Sequence, residues 1–159
     1  MADLPLPVAI SALIKDNNIL LIKRIKGDYV GLLGLPGGKI ESHEHLTQAA
    51  VREVLEESGI ESEFNDYLGV VSELLIENGS FNKHLLLHIC ELTPKTGNIS
   101  KNQEGQLEWF DLNEIHKIKE KIIPSDYLII DQMIRNRGKM FIDCILEKKG
   151  DSYCLKKFE

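Results

Sequence analysis

The 159 residues, 43% of them hydrophobic and 28% charged, suit one soluble globular domain with a core of its own and leave no room for a second. A net charge of −6 argues against broad electrostatic binding to nucleic acid or to an anionic membrane, so an anionic ligand must be held by local cations or by metal. Cys90, Cys144 and Cys154 show no CxxC pair and no histidine at zinc spacing, and residues 1–7 lack a basic leader and a long apolar run; a reducing, cytoplasmic location is the default expectation.

In chain order, residues 8–15 and 19–24 read as two strands joined by turn chemistry at Asp16-Asn17-Asn18, a hairpin. Lys23, Arg24 and Lys26 then lead into a Gly-rich loop, 27–31. In Leu35-Pro36-Gly37-Gly38-Lys39 the paired glycines open backbone conformations closed to other residues and let carbonyls approach a ligand closely. A helix is expected over 45–58, with Val51, Val54 and Leu55 as its apolar side, Ala49 and Ala50 keeping the acidic side narrow, and Gly59 as C-cap.

Residues 61–67 and 68–77 are strand-like, Asn78-Gly79 is a strong hairpin signal, and a long strand follows over 81–92. After a polar loop, 94–105, come a short strand at 107–110, a helical turn over 112–121, and a helix begun by Pro124-Ser125-Asp126 with Tyr127, Ile130, Met133 and Ile134 on one face. Residues 140–146 and 152–158 make a last hairpin. With Lys148-Lys149-Gly150 as its loop, Cys144 would lie opposite Cys154.

The first helix carries an anomaly. Glu53, Glu56 and Glu57 stand at i, i+3 and i+4 on one helical face, and the last two also meet the negative end of the helix dipole. Arg52 can pair with Glu56 at i+4, but one arginine does not neutralise three carboxylates. A hard divalent cation does, and an all-oxygen donor set suits Mg²⁺ or Mn²⁺ better than zinc or copper.

The run from Gly38 through Glu44 to Arg52-Glu53-Val54-Leu55-Glu56-Glu57-Ser58-Gly59-Ile60 resembles the box of the Nudix hydrolases with every specified position filled. The resemblance covers residues 8–138 and implies an α/β fold, an α/β/α sandwich around a mixed sheet, with 139–159 as a hairpin extension at a sheet edge or an oligomer contact. It implies Mg²⁺-dependent hydrolysis of a nucleoside diphosphate linked to a further group, with Mn²⁺ as the alternative ion. The metal would be held by Glu53, Glu56, Glu57 and the Gly38 carbonyl, Arg52 would orient the carboxylates and Glu44 would support it.

A distant acid is expected from Gln103-Glu104-Gly105-Gln106-Leu107-Glu108-Trp109, which resembles a loop of MutT-type members, with Glu104 as first choice for catalysis and metal and Glu108 as second. Arg24 and Lys39 would face phosphates, and Asp126 would either read a purine edge or act as an ordinary helix-start residue. His43 and His45 are read as structural. The chain has Leu32-Leu33-Gly34 where family members often carry a Trp, and it has no proline between Pro36 and Pro94, where ADP-ribose-type members tend to carry one. A nucleoside triphosphate pyrophosphohydrolase of the MutT type is therefore favoured over a nucleotide-sugar or dinucleoside polyphosphate hydrolase and over a nucleotide-sensing module without turnover. The expected partner is a nucleotide-type small molecule, with no nucleic acid or membrane, and the chain is expected as a monomer or homodimer.

Overall fold

In the computed structural model, which describes residues 4–100 and 106–159, β1 (Leu6–Lys15) turns through Asp16 and Asn17, both at positive φ, into β2 (Asn18–Lys23). Two consecutive positive φ values match the strand twist in a tight hairpin, and Asn and Asp tolerate them best among residues with a side chain. Short strands β3 (Leu33–Gly34) and β4 (Gly37–Lys39) pair with β2 and β1 on either side of the Leu35-Pro36 corner. Helix α1 (Leu46–Ser58) follows, and its capping box joins His45 and Gln48, with Gly59 left-handed at the far end.

The two strand-like stretches after the helix form one strand, β5 (Ser62–Glu77), with irregular register at Phe64/Asp66 and Tyr67/Gly69. These bulges bend the strand without ending it. Asn78 and Gly79, again both at positive φ, return the chain into β6 (Ser80–Pro94). Next come β7 (Leu107–Asp111), a 3₁₀ segment (Ile115–Lys121), α2 (Pro124–Ile129) continued by a π-helical turn (Ile130–Arg135), and the hairpin β8 (Phe141–Lys149) and β9 (Ser152–Phe158).

Among the described residues these strands make one mixed sheet in the order β3-β2-β1-β6-β5-β8-β9, with β4 added to β1 and β7 to β2. The β1/β6 and β5/β8 pairs are parallel and the others antiparallel. Alternation along β1 sends Ala9 and Leu13 into a core with Ala49, Ala50 and Val54 of α1, while Val8 and Ala12 enter a second core with Ile129, Ile130 and Met133. A helix thus covers each face of the sheet, the α/β/α sandwich expected. No described helix is long and apolar enough to cross a membrane.

Two local expectations are corrected. The buried side of α1 is Ala49, Ala50, Val54 and Ser58, while Leu55 is 45% exposed; the two alanines form the contact with the sheet. The last hairpin turns at Gly150-Asp151, so Lys149 faces Ser152, Glu147 faces Cys154, and Cys144 faces Phe158. Gly150 at φ 61° is the first central residue of a two-residue turn, a register that separates the cysteines; Cys90, Cys144 and Cys154 are all free thiols.

Candidate active site

Arg52 is the hub of the box. Its Nε and Nη2 donate to the two oxygens of Glu44 at 2.9 and 2.6 Å, Nη1 donates to Glu53 at 2.8 Å and to Glu56 at 3.3 Å, and Nη2 also donates to the Lys39 carbonyl at 3.2 Å. The expected Arg52–Glu56 pair is therefore the longest of its carboxylate contacts. The fork-to-fork pairing with Glu44, which is eight residues away and just ahead of the helix, is the short one. Hydrogen bonds from Arg52 and from the Glu41 N–H hold the Glu44 carboxyl down at about 2, and Glu44 in return raises the Arg52 guanidinium above its ordinary range.

The turn ahead of the helix needs glycine for space. Neither Gly37 nor Gly38 is among the positive-φ residues, but a Cβ on Gly37 would lie 2.3 Å from the Ala9 carbonyl oxygen, and one on Gly38 would lie 2.4 Å from the Glu53 carboxyl. The expected special backbone conformation is replaced by close approach to β1 and to the acid. The Gly37 N–H donates to Glu57 at 3.3 Å. Burial first, and the charge of Glu53 second, push the Glu57 carboxyl up to about 7, against the pull of that N–H and of Arg24.

Glu44, Arg52, Glu53 and Glu56 are thus one ion network, and Glu57 adjoins Glu53 beside the Gly-Gly turn. Among the described residues no three acidic, imidazole or thiol groups already converge as a cation site. Glu53 and Glu56 are turned to Arg52 instead. Glu104 lies outside the described residues. Glu108 is exposed on β7 opposite Leu21, and Lys39 is exposed on β4.

Three concavities that share lining residues border this face. A cleft of about 350 Å³ is lined by Lys23, Arg24 and Lys26, by Gln106, whose carbonyl accepts the Lys23 N–H, and by Glu56 and Glu57 of α1. Lys23 and Gln106 also border an open groove of about 740 Å³ that runs along Glu108, Phe110 and Lys121. Arg24 and the Gly37-Gly38 turn also line a cavity of about 250 Å³ whose wall includes Tyr29, Glu73, Ser125 and Asp126.

That cavity is where the second helix matters. The Ile123 N–H donates to the Leu33 carbonyl at 2.9 Å, which ties the start of α2 to β3. Asp126, 7% exposed, then accepts the Leu35 N–H at 2.9 Å. Its carboxylate makes no cap; the N-cap is Ile123, without a side-chain hydrogen bond. Burial raises the Asp126 carboxyl to about 7 and Glu73 adds to this, while the Leu35 N–H and Arg24 oppose it. Asp28 and Lys83, an ion pair at 2.8 Å, close one side.

Glu73, Gln106, Tyr29, Asp28 and Lys83 were not singled out from the sequence. Only Glu73 had a usable signal: it interrupts the inward stripe Val71, Glu73, Leu75 of β5 with an acid.

The sequence profile of the NUDIX domain matches residues 5–132. An ADP-ribose pyrophosphatase of Methanocaldococcus jannaschii is 36% identical over 126 residues, 76% of this chain and 72% of that protein. A CTP pyrophosphohydrolase of Escherichia coli is 29% identical over 78% of this chain and 87% of that one. Among solved structures, a MutT protein from Bacillus halodurans superposes with a TM-score of 0.70 at 23% identity, covering 95% of this chain and 97% of that one. A profile match across most of the chain, including a box with every fixed position filled, places the protein in the Nudix family as a hydrolase of nucleoside diphosphate derivatives.

Proposed function

We propose that the protein is a Mg²⁺-dependent nucleoside triphosphate pyrophosphohydrolase of the MutT type, releasing a nucleoside monophosphate and pyrophosphate. The observation that carries this is a pair of neighbouring concavities: a cleft lined by Lys23, Arg24 and Lys26 together with Glu56 and Glu57, and a cavity that shares Arg24 with it and carries Glu73, Ser125 and Asp126 in its wall. The cleft fits a phosphate chain and the cavity fits what hangs from its end.

The donor set fits a hard divalent ion. Glu53, Glu56 and Glu57 with the Gly38 carbonyl are all oxygen donors, and the Glu57 carboxyl, raised first by burial and then by the charge of Glu53, is one that a bound cation would help to ionise. A bound Mg²⁺ supplies charge compensation on the pyrophosphate and a more acidic water. Arg52, clamped by Glu44, fixes the orientation of Glu53. Lys23, Arg24, Lys26 and Lys39 hold phosphate oxygens, and Asp126 contacts the base. Glu104, two residues before cleft-lining Gln106, positions the water. Water adds its oxygen to one phosphorus, the bridging P–O bond breaks, and the proton of the water leaves to a base or to solvent.

A second reading is favoured by a separate observation. The 740 Å³ groove beyond Lys23 and Gln106 has room for a second organic group, as in ADP-ribose or a nucleotide sugar. Chromatographic product analysis of a nucleotide panel with and without Mg²⁺ decides between them. Monophosphate plus pyrophosphate from a triphosphate, at the highest kcat/KM of the panel, is the expected result. A higher kcat/KM for ADP-ribose, with AMP and ribose 5-phosphate as products, moves the assignment to the second reading.

A further inference from the structure

Glu73 is 2% exposed on β5, a position where an acid is costly unless something uses it. It lines the 250 Å³ cavity together with Tyr29, 9% exposed, and Ser125, 1% exposed. The Tyr29 and Ser125 hydroxyls lie close enough to Glu73 to stabilise its charge, yet neither completes a hydrogen bond. Cys144, whose Sγ lies 3.9 Å from Glu73 Oε1, is at most a weak donor. Two buried hydroxyls without a hydrogen-bond partner thus flank a buried carboxyl in the wall of the cavity. Buried polar groups in native structures are satisfied in the great majority of cases, so the two hydroxyls beside Glu73 call for a partner in the cavity they line.

We infer that Glu73 is a specificity-determining residue that receives the nucleobase edge of the substrate, with Ser125 and Tyr29 completing the contact; the inference deepens the proposed function, whose reading of the cavity it rests on. The cavity lies just below the roughly 300 Å³ at which pockets for whole ligands begin, so it suits a ring and leaves the sugar and phosphates outside. Burial, the largest influence on Glu73, favours its neutral form. A neutral carboxylic acid offers one O–H donor beside one C=O acceptor, the complement of a base edge that shows a donor next to an acceptor. An ionised carboxylate would offer acceptors alone.

The substitutions Glu73→Gln and Glu73→Leu separate the possibilities. Gln keeps a neutral donor beside an acceptor, whereas Leu keeps approximate volume and removes both, leaving the Tyr29 and Ser125 hydroxyls without the carboxyl beside them. Calorimetry on wild type and both variants, each checked for folding by circular dichroism, measures binding of AMP, GMP, CMP and UMP, with ribose 5-phosphate as the baseless probe. We expect Glu73→Leu to weaken the best-bound monophosphate by about tenfold or more, Glu73→Gln to stay within about threefold of wild type, and ribose 5-phosphate to be unaffected by either.

Unchanged monophosphate binding in Glu73→Leu overturns the inference, as does a wild type that binds no monophosphate better than ribose 5-phosphate. Equal weakening of monophosphate and ribose 5-phosphate also overturns it, since that marks a disturbed phosphate site. If the expected binding pattern holds while no nucleotide is hydrolysed with Mg²⁺, the subsite stands and the enzymatic reading fails. If hydrolysis is Mg²⁺-dependent while Glu73→Leu binds like wild type, the reverse holds.

Discussion

The acidic box and the polar cavity lie on either side of the Gly37-Gly38 turn, and they are built in opposite ways. The box is local: Glu44, Arg52, Glu53, Glu56 and Glu57 lie within fourteen consecutive residues, from 44 to 57, and one helix brings four of them together. The cavity is assembled from the loop carrying Asp28 and Tyr29, from Glu73 on β5, Lys83 on β6 and Ser125 and Asp126 on α2. For the four box residues on the helix spacing alone dictates geometry, because the helical repeat is fixed. In the second, geometry exists only after β1, β5, β6 and α2 have packed.

The largest expected effect tests the local region. Glu57→Gln removes one of the proposed metal-binding charges, and kcat at saturating Mg²⁺ should fall by a factor on the order of 10³ or more. The same change relieves a carboxyl disfavoured by burial and by Glu53, so metal-free thermal stability above pH 7 should hold or rise. Activity within tenfold of wild type in a folded variant removes Glu57 from the metal site.

A step smaller is the clamp. Arg52→Lys keeps a positive charge but loses the paired donors to Glu44 and the simultaneous reach to Glu53. We expect kcat to drop roughly 10- to 100-fold with KM changed less than threefold, since the residue acts by holding Glu53 in place. A rise in KM with kcat intact would instead mean that Arg52 contacts the substrate.

How far the sequence could be read follows the same division. The turns at Asp16-Asn17 and Asn78-Gly79, the helix 45–58 with its Gly59 cap, and the pairing of Arg52 with acids were all legible, because each depends on residues a few positions apart. The reach of Arg52 back to Glu44 was not, since Glu44 precedes the helix and its position depends on the turn at 41–44. Asp126 was legible as a helix-start residue but not as the acceptor of the Leu35 N–H, a contact across 91 positions. The register of the last hairpin was missed because Gly150-Asp151 and Lys148-Lys149-Gly150 are both acceptable turns on composition. The buried side of α1 was missed because alanine is small enough to serve either side, and close packing on the sheet selected Ala49 and Ala50 over Leu55.

The third prediction concerns pH and the buried end of the cavity. Asp126 is raised from an ordinary 3.8 to about 7, so the folded state holds its proton more tightly than the unfolded chain. Its contribution to stability is full below about pH 4 and is lost as pH rises toward 7, by up to about 4 kcal/mol. Asp126→Asn keeps an oxygen to accept the Leu35 N–H and removes the titration. Between pH 4 and 7 the stability of wild type should therefore fall more steeply than that of the variant, in urea titrations at fixed ionic strength. Glu73 is raised in the same direction, so the variant should retain part of the slope. Parallel curves would show that Asp126 titrates normally and that the cavity is wetter than its burial implies.

The smallest expected effect joins the C-terminal hairpin to the cavity. Tyr153 on β9 lies outside the matched residues 5–132, yet its hydroxyl accepts the Tyr29 N–H at 2.8 Å and its ring packs on that of Tyr29 with centroids 4.4 Å apart. Tyr29 sits at φ 65°, an uncommon conformation for an aromatic residue, and the contact helps to hold it. Tyr153→Phe keeps the ring packing and leaves the Tyr29 N–H without that acceptor, at a cost of about 1 kcal/mol. If the hairpin serves as a wall that positions Tyr29, KM for the best substrate should rise about two- to fivefold while kcat stays within a factor of two, because no group of the box is touched. Tyr153→Ala should raise KM further, through loss of the ring. A lower kcat at constant KM in Tyr153→Phe would place the effect in the cleft and separate the hairpin from base recognition.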